Sequence, residues 1–100
     1  MITRIVKMRF RPDGIEPFKD VFARSKDQIR AFPGNRHVEL LQDQNNPEIF
    51  FTYSKWESPE ALESYRNSEL FEKTWAETKA LFNDKPEAWS TEKRGEGQAG

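Results

Sequence analysis

The chain has no cysteine and a single histidine in 100 residues. The first absence excludes a disulfide scaffold, a thiolate metal site and a cysteine nucleophile. The second leaves His37 unable to complete a two-histidine motif or a multi-histidine facial triad within one chain, so no metal is expected. An excess of one charge is lacking too. With 16 basic and 17 acidic residues the net charge is −1, which gives no electrostatic footprint for nucleic acid. Arg4, Lys7, Arg9 and Arg11 make one locally basic stretch, but they are interspersed with Val6, Met8 and Phe10 and read as one side of a strand. No apolar run nears the roughly 18 residues that cross a bilayer, and the N-terminus leads into no signal-peptide core. A cytoplasmic protein with no membrane partner is expected. Serine-nucleophile motifs, glycine-rich phosphate loops and calcium loops are missing as well, so hydrolase and nucleotide readings have nothing to rest on.

What is present is aromatic. Leu, Ile, Val and Phe make up 21 of 100 residues, close to the roughly 20% below which chains tend to stay disordered. Thirteen aromatic residues and a near-zero net charge nevertheless favour one folded domain with an aromatic core. A domain this small buries only about 60 to 70% of its unfolded surface, which makes a second copy of the chain a source of further burial.

Ile2 to Phe10 alternates as a strand, and Pro12-Asp13-Gly14 gives a turn. Ile15, Phe18, Phe22, Ser25, Ile29 and Phe32 then recur at helical spacing, with Pro17 in the first turn and Phe32-Pro33-Gly34 as the stop. Strands follow from about Arg36 to Gln42 and from Glu48 to Trp56, with Gln44 to Pro47 as the hairpin loop. Ser58-Pro59-Glu60 starts a helix carrying Leu62 and Tyr65. The pattern resets at Asn67-Ser68 into a longer helix with Leu70, Phe71, Thr74, Trp75, Thr78, Leu81 and Phe82, ending near Asn83. A short strand from Ala88 to Lys93 closes a single domain over residues 1–93, and 94–100 reads as a disordered tail. The order predicts an α+β, ferredoxin-like split βαβ fold with one antiparallel sheet and helices on one face.

A hairpin symmetric about Asn45 and Asn46 predicts that Val38, Leu40, Ile49, Phe51 and Tyr53 meet the helices. It leaves His37, Glu39, Leu41, Phe50, Thr52, Ser54 and Trp56 on the other face, where Phe50 and Trp56 call for a second subunit. Ser25 and Thr78 fall inside buried helical stripes, where large apolar residues belong. Each hydroxyl either bonds back to the carbonyl one turn earlier and packs, or lines a cavity with Thr74, Trp75, Phe71 and Phe22 around it. His37 and Glu39 share a strand face, either as an acid-base pair or as an interface histidine bonded across to a partner. The acidic series from Glu57 to Glu77 reads as solvated helix surface.

Phe51-Thr-Tyr-Ser-Lys-Trp56-Glu-Ser-Pro-Glu-Ala-Leu62, Tyr65-Arg-Asn-Ser-Glu-Leu-Phe71 and the opening Ile2-Thr-Arg-Ile-Val-Lys-Met carry a resemblance over about residues 1–93. Together they resemble the antibiotic biosynthesis monooxygenase domain, a family that includes quinol monooxygenases and haem-degrading enzymes. The resemblance implies a ferredoxin-like monomer that packs sheet to sheet into a dimeric α/β barrel. It also implies cofactor-independent oxidation of a small phenol- or quinol-type aromatic with O2. Haem-degrading members share an asparagine on strand one, a tryptophan after strand three and a histidine one helical segment later. Here residues 1–34 hold no asparagine, and Tyr65 and Trp75 stand at the other two positions. No haem or other cofactor is therefore expected. On this reading Tyr65 and Thr78 hydrogen-bond the substrate, and Tyr53, Phe71, Trp75, Phe22, Ser25 and Thr74 surround it. The rival reading is a non-catalytic homodimer that binds a small hydrophobic ligand.

Overall fold

The computed structural model describes residues 1–99. Strands β1 (Ile2–Arg9), β2 (Asn35–Gln42), β3 (Ile49–Trp56) and β4 (Glu87–Thr91) form one sheet in the order β2-β3-β1-β4, antiparallel at every neighbour. Helices α1 (Ile15–Arg30), α2 (Pro59–Arg66) and α3 (Glu69–Lys79) complete an α+β, ferredoxin-like fold, with a short 3-10 turn, Pro12–Gly14, leading into α1. The expected elements are all found, with ends shifted by at most about four residues. Residues 92–99 carry neither helix nor strand, and the last residue of the expected tail, Gly100, lies outside the described residues.

Local chemistry accounts for the breaks. Ser58 caps α2 by accepting from the Ala61 N–H at 3.1 Å, with Pro59 at the first helical position. Ser68 caps α3 from Phe71 in the same way, which is why the helical pattern resets there. Between α1 and β2 the chain turns through Gly34 at φ +87°, and a Cβ at that position would collide with Ala61 of α2.

The β2–β3 hairpin corrects one expectation. Its loop is not symmetric. The Asp43 carboxylate accepts from the N–H groups of Asn45 and Asn46 at 3.0 and 2.8 Å, and the Asn46 side chain accepts from the Glu48 N–H at 3.0 Å. Val38 consequently pairs with Ser54 and Leu40 with Thr52, one residue away from a pairing centred on Asn45 and Asn46. A one-residue slip turns a strand over. The positions of β2 stand as expected, but Phe50, Thr52, Ser54 and Trp56 of β3 face the helices, whereas Phe51 and Tyr53 face outward. Phe50 and Trp56, the two β3 rings expected at a subunit interface, are each only 1% exposed within the monomer.

The core is divided. Met8, Phe10, Phe18 and Phe50 form one cluster, extended by Leu81 and Phe82, while Ile2, Trp56 and Leu62 form another with Phe32 and Tyr65. Phe10 and Phe18 stack at 4.1 Å between centroids. Each fully buried ring contributes about 1.5–3 kcal/mol of transfer free energy. Between the clusters, the helix-facing positions of the sheet are Arg4, Val6, Val38, Thr52, Ser54 and Ala88, none of them aromatic. They cannot fill the space under the helices.

Candidate functional site

That unfilled space is a cavity of about 310 Å³, bounded by all three helices and all four strands. Its volume sits at the low end of the roughly 300–1,000 Å³ typical of small-molecule sites. An aromatic ladder forms one wall. Tyr65 stacks on Trp56 at 4.8 Å and meets Phe71 edge-on at 5.3 Å, and Phe71 stacks on Trp75 at 5.8 Å with the planes 15° apart. Phe22, Val21 and Ile29 of α1 line the opposite side with Ser25.

Both readings of the buried hydroxyls hold together. Ser25 Oγ donates to the Val21 carbonyl at 2.8 Å and Thr78 Oγ1 to the Thr74 carbonyl at 2.7 Å, each one turn back along its own helix. Ser25, Thr74 and Thr78 nevertheless line the cavity. With their protons engaged, the Ser25 and Thr78 oxygens offer lone pairs to a ligand and accept hydrogen bonds rather than donate them. Ser54 Oγ accepts from the Trp56 indole N–H at 3.0 Å, which holds that ring in place.

Tyr65 differs from these. Burial alone pushes its phenol up to about 12, with no charge or hydrogen bond offsetting the loss of water. It therefore stays protonated near neutral pH and has a proton to donate. The other candidate base is on the wrong side. His37 Nε2 lies 2.6 Å from Glu39 Oε1 on the outward face of β2, opposite the cavity, so the imidazole has a carboxylate partner on its own strand. Among the described residues no histidine or cysteine lines the cavity, and Met8 and Tyr65 are the lining side chains of a type that ligates haem iron.

Of the eight expected site residues, the structure brings seven together around the cavity: Tyr65, Thr78, Phe71, Trp75, Phe22, Ser25 and Thr74. Tyr53 is the exception. The register places it on the outward face, opposite Ile5 and Glu39, so it is no wall of this site. Sequence reasoning missed Arg4 and Arg66, which also line the cavity. The signal for Arg4 was its position on the helix-facing side of strand one, between Ile2 and Val6, where a charge has no structural reason to be.

A four-stranded antiparallel sheet with three helices and an aromatic-lined cavity between them defines the class as an α+β, ferredoxin-like domain. The family model for antibiotic biosynthesis monooxygenases matches residues 1–77, and the chain belongs to that family. No curated protein matches the sequence. Among solved structures, an antibiotic biosynthesis monooxygenase superposes with a TM-score of 0.89 at 18% identity, covering 95% of this chain and 100% of that one. A conserved protein from Methanosarcina mazei Go1 gives 0.88 at 18% identity over 94% of each chain. A mutant of SnoaB, a cofactor-independent oxygenase from Streptomyces nogalater, gives 0.85 at 18% identity over 95% of this chain and 94% of its own.

Proposed function

We propose that this protein is a cofactor-independent monooxygenase that oxidises a small phenol- or quinol-type aromatic with O2. The observation that carries the reading is the cavity itself, walled by Phe22, Phe71 and Trp75 and lined by Tyr65, in a chain of the monooxygenase family. In this chemistry the ionised substrate passes electrons directly to O2. One oxygen atom forms the new C–O bond on the ring, the other leaves as water, and the ring loses two hydrogens, so all the electrons come from the substrate. The protein has to exclude water, hold the ring flat between aromatic faces and stabilise the substrate oxyanion. Tyr65 donates to that oxyanion, and Thr78 accepts from a substrate hydroxyl at the other end.

The same reading takes the outward face of the sheet as the seat of a second copy. Trp89, Ile5 and Tyr53 lie side by side across β4, β1 and β3, and Lys7, Phe51 and Leu41 form the adjoining row. Trp89 and Leu41 are each 45% exposed in the monomer. An apolar centre flanked by charges of both signs is self-complementary under a two-fold axis.

One observation favours the rival reading, a binding protein without catalysis: His37, the chain's single histidine, lies outside the cavity. Oxygen uptake over a panel of hydroquinones and anthrones decides between them. Uptake above autoxidation supports the oxygenase, and retained ligand binding with no such uptake removes it.

A further inference from the structure

Two guanidinium groups lie along the edge of the cavity, and the oxidation chemistry uses neither. Arg4 projects from the helix-facing side of β1, in line with Ile2, Val6 and Met8. Its Nη1 donates to Ser90 Oγ of β4 at 2.9 Å, which fixes one edge of the guanidinium and leaves most of its five donors free. Arg66, the last residue of α2, lines the same cavity. Its one acidic neighbour is Glu63, at a loose 3.8 Å, with both side chains about half exposed or more.

We propose that Arg4 and Arg66 form the carboxylate-binding end of the cavity, so that the ligand is a small aromatic acid whose ring lies against Phe71 and Trp75. The inference rests on the reading of the cavity as a ring-binding site and adds the charge of the ligand to it. Burial and the nearby Arg66 charge both pull the Arg4 pKa down, with nothing acidic to offset them. Arginine remains charged even so, and two neighbouring cations at one cavity gain from an anion bound beside them. A carboxylate is flat and presents two oxygens to the open edge of a guanidinium, as a bidentate pair requires. A phosphate ester brings more bulk and a second charge to a mouth where Ser90 already occupies one edge of Arg4. Length also agrees. At about 3.3 Å per strand residue, Arg4 and Met8 stand roughly 13 Å apart along one wall, room for a ring with its acid group at one end.

The test compares 1-naphthoate with 1-naphthamide, the same ring with and without charge, by titration calorimetry on the full chain. The wild type is expected to bind naphthoate at least tenfold tighter. Arg66→Gln and Arg4→Gln should each lower naphthoate affinity about fivefold or more and leave naphthamide within twofold, and Arg66→Lys should recover part of the loss. Equal binding of acid and amide overturns the carboxylate end and leaves ring binding intact, whereas binding of neither overturns both. An equal loss of both ligands in Arg4→Gln shows a packing role for that side chain and overturns its part. Should that variant lose its fold with the Ser90 bond, the exposed Arg66→Gln carries the comparison alone.

Discussion

Tyr65 stacks on Trp56 with 4.8 Å between ring centroids and 26° between planes, and the indole is itself held by Ser54. The phenol ring is thus clamped against a fixed partner, and Tyr65 is largely buried where it lines the cavity.

This position makes stability depend on alkaline pH. Below pH 10 the phenol is protonated in both folded and unfolded chains and has no effect. Between about 10 and 12 the unfolded phenol ionises while the folded one, at about 12, does not. The unfolded state then binds fewer protons and stability falls as pH rises, by on the order of 2–3 kcal/mol across that window. Urea unfolding at pH 9 and pH 11.5 should show the loss in the wild type and a smaller one in Tyr65→Phe.

Filling the cavity should separate binding from folding. Ser25→Phe directs a ring from α1 into space that holds no atoms, so the melting temperature is expected to stay within a few degrees of the wild type. Oxygen uptake and naphthamide binding should both be abolished. A variant that still binds the amide as tightly as the wild type would show that ligands use another site.

The outward face carries the third expectation. Light scattering at micromolar concentration should give about twice the 11.8 kDa chain mass. Phe51→Glu, which adds a charge amid that face without touching the cavity, should give a monomer with unchanged helical content. A standard interface of about 800 Å² per partner does not tolerate an unpaired central charge.

The turn before β2 provides the fourth. Gly34→Ala forces a Cβ into the left-handed region and against Ala61, and should cost about 1–3 kcal/mol in chemical unfolding. Adding Ala61→Gly relieves the collision but not the strained φ, so only part of the loss should return.

Most of this architecture was legible because it is written in short-range terms: a proline after a capping serine, a helical stripe, an alternating strand. Six of the cavity-lining candidates, Phe22, Ser25, Phe71, Thr74, Trp75 and Thr78, followed from the helical wheel, since helix faces depend on spacing alone, and Tyr65 entered through the family resemblance. The outward position of Tyr53 did not follow. A strand face depends on parity, and parity was decided by which side chains hydrogen-bond inside the loop between β2 and β3, where Asp43 and Asn46 act asymmetrically. Arg4 was hidden for another reason. Its charge made it look like surface, whereas its place in the alternation puts it beside the cavity.

The back-bonded hydroxyls of Ser25 and Thr78 bear on regiochemistry. Their protons are tied to helical carbonyls, so the part of the cavity under α1 and α3 is rich in lone pairs. Tyr65, Arg4 and Arg66 make the other part rich in protons. An enclosure polarised in this way works as a compass for an asymmetric ring, because turning the molecule end for end sets donor against donor and acceptor against acceptor. On the proposed oxygenase reading, which ring carbon faces O2 is then settled before any bond is broken, by two side chains that never leave their own helices.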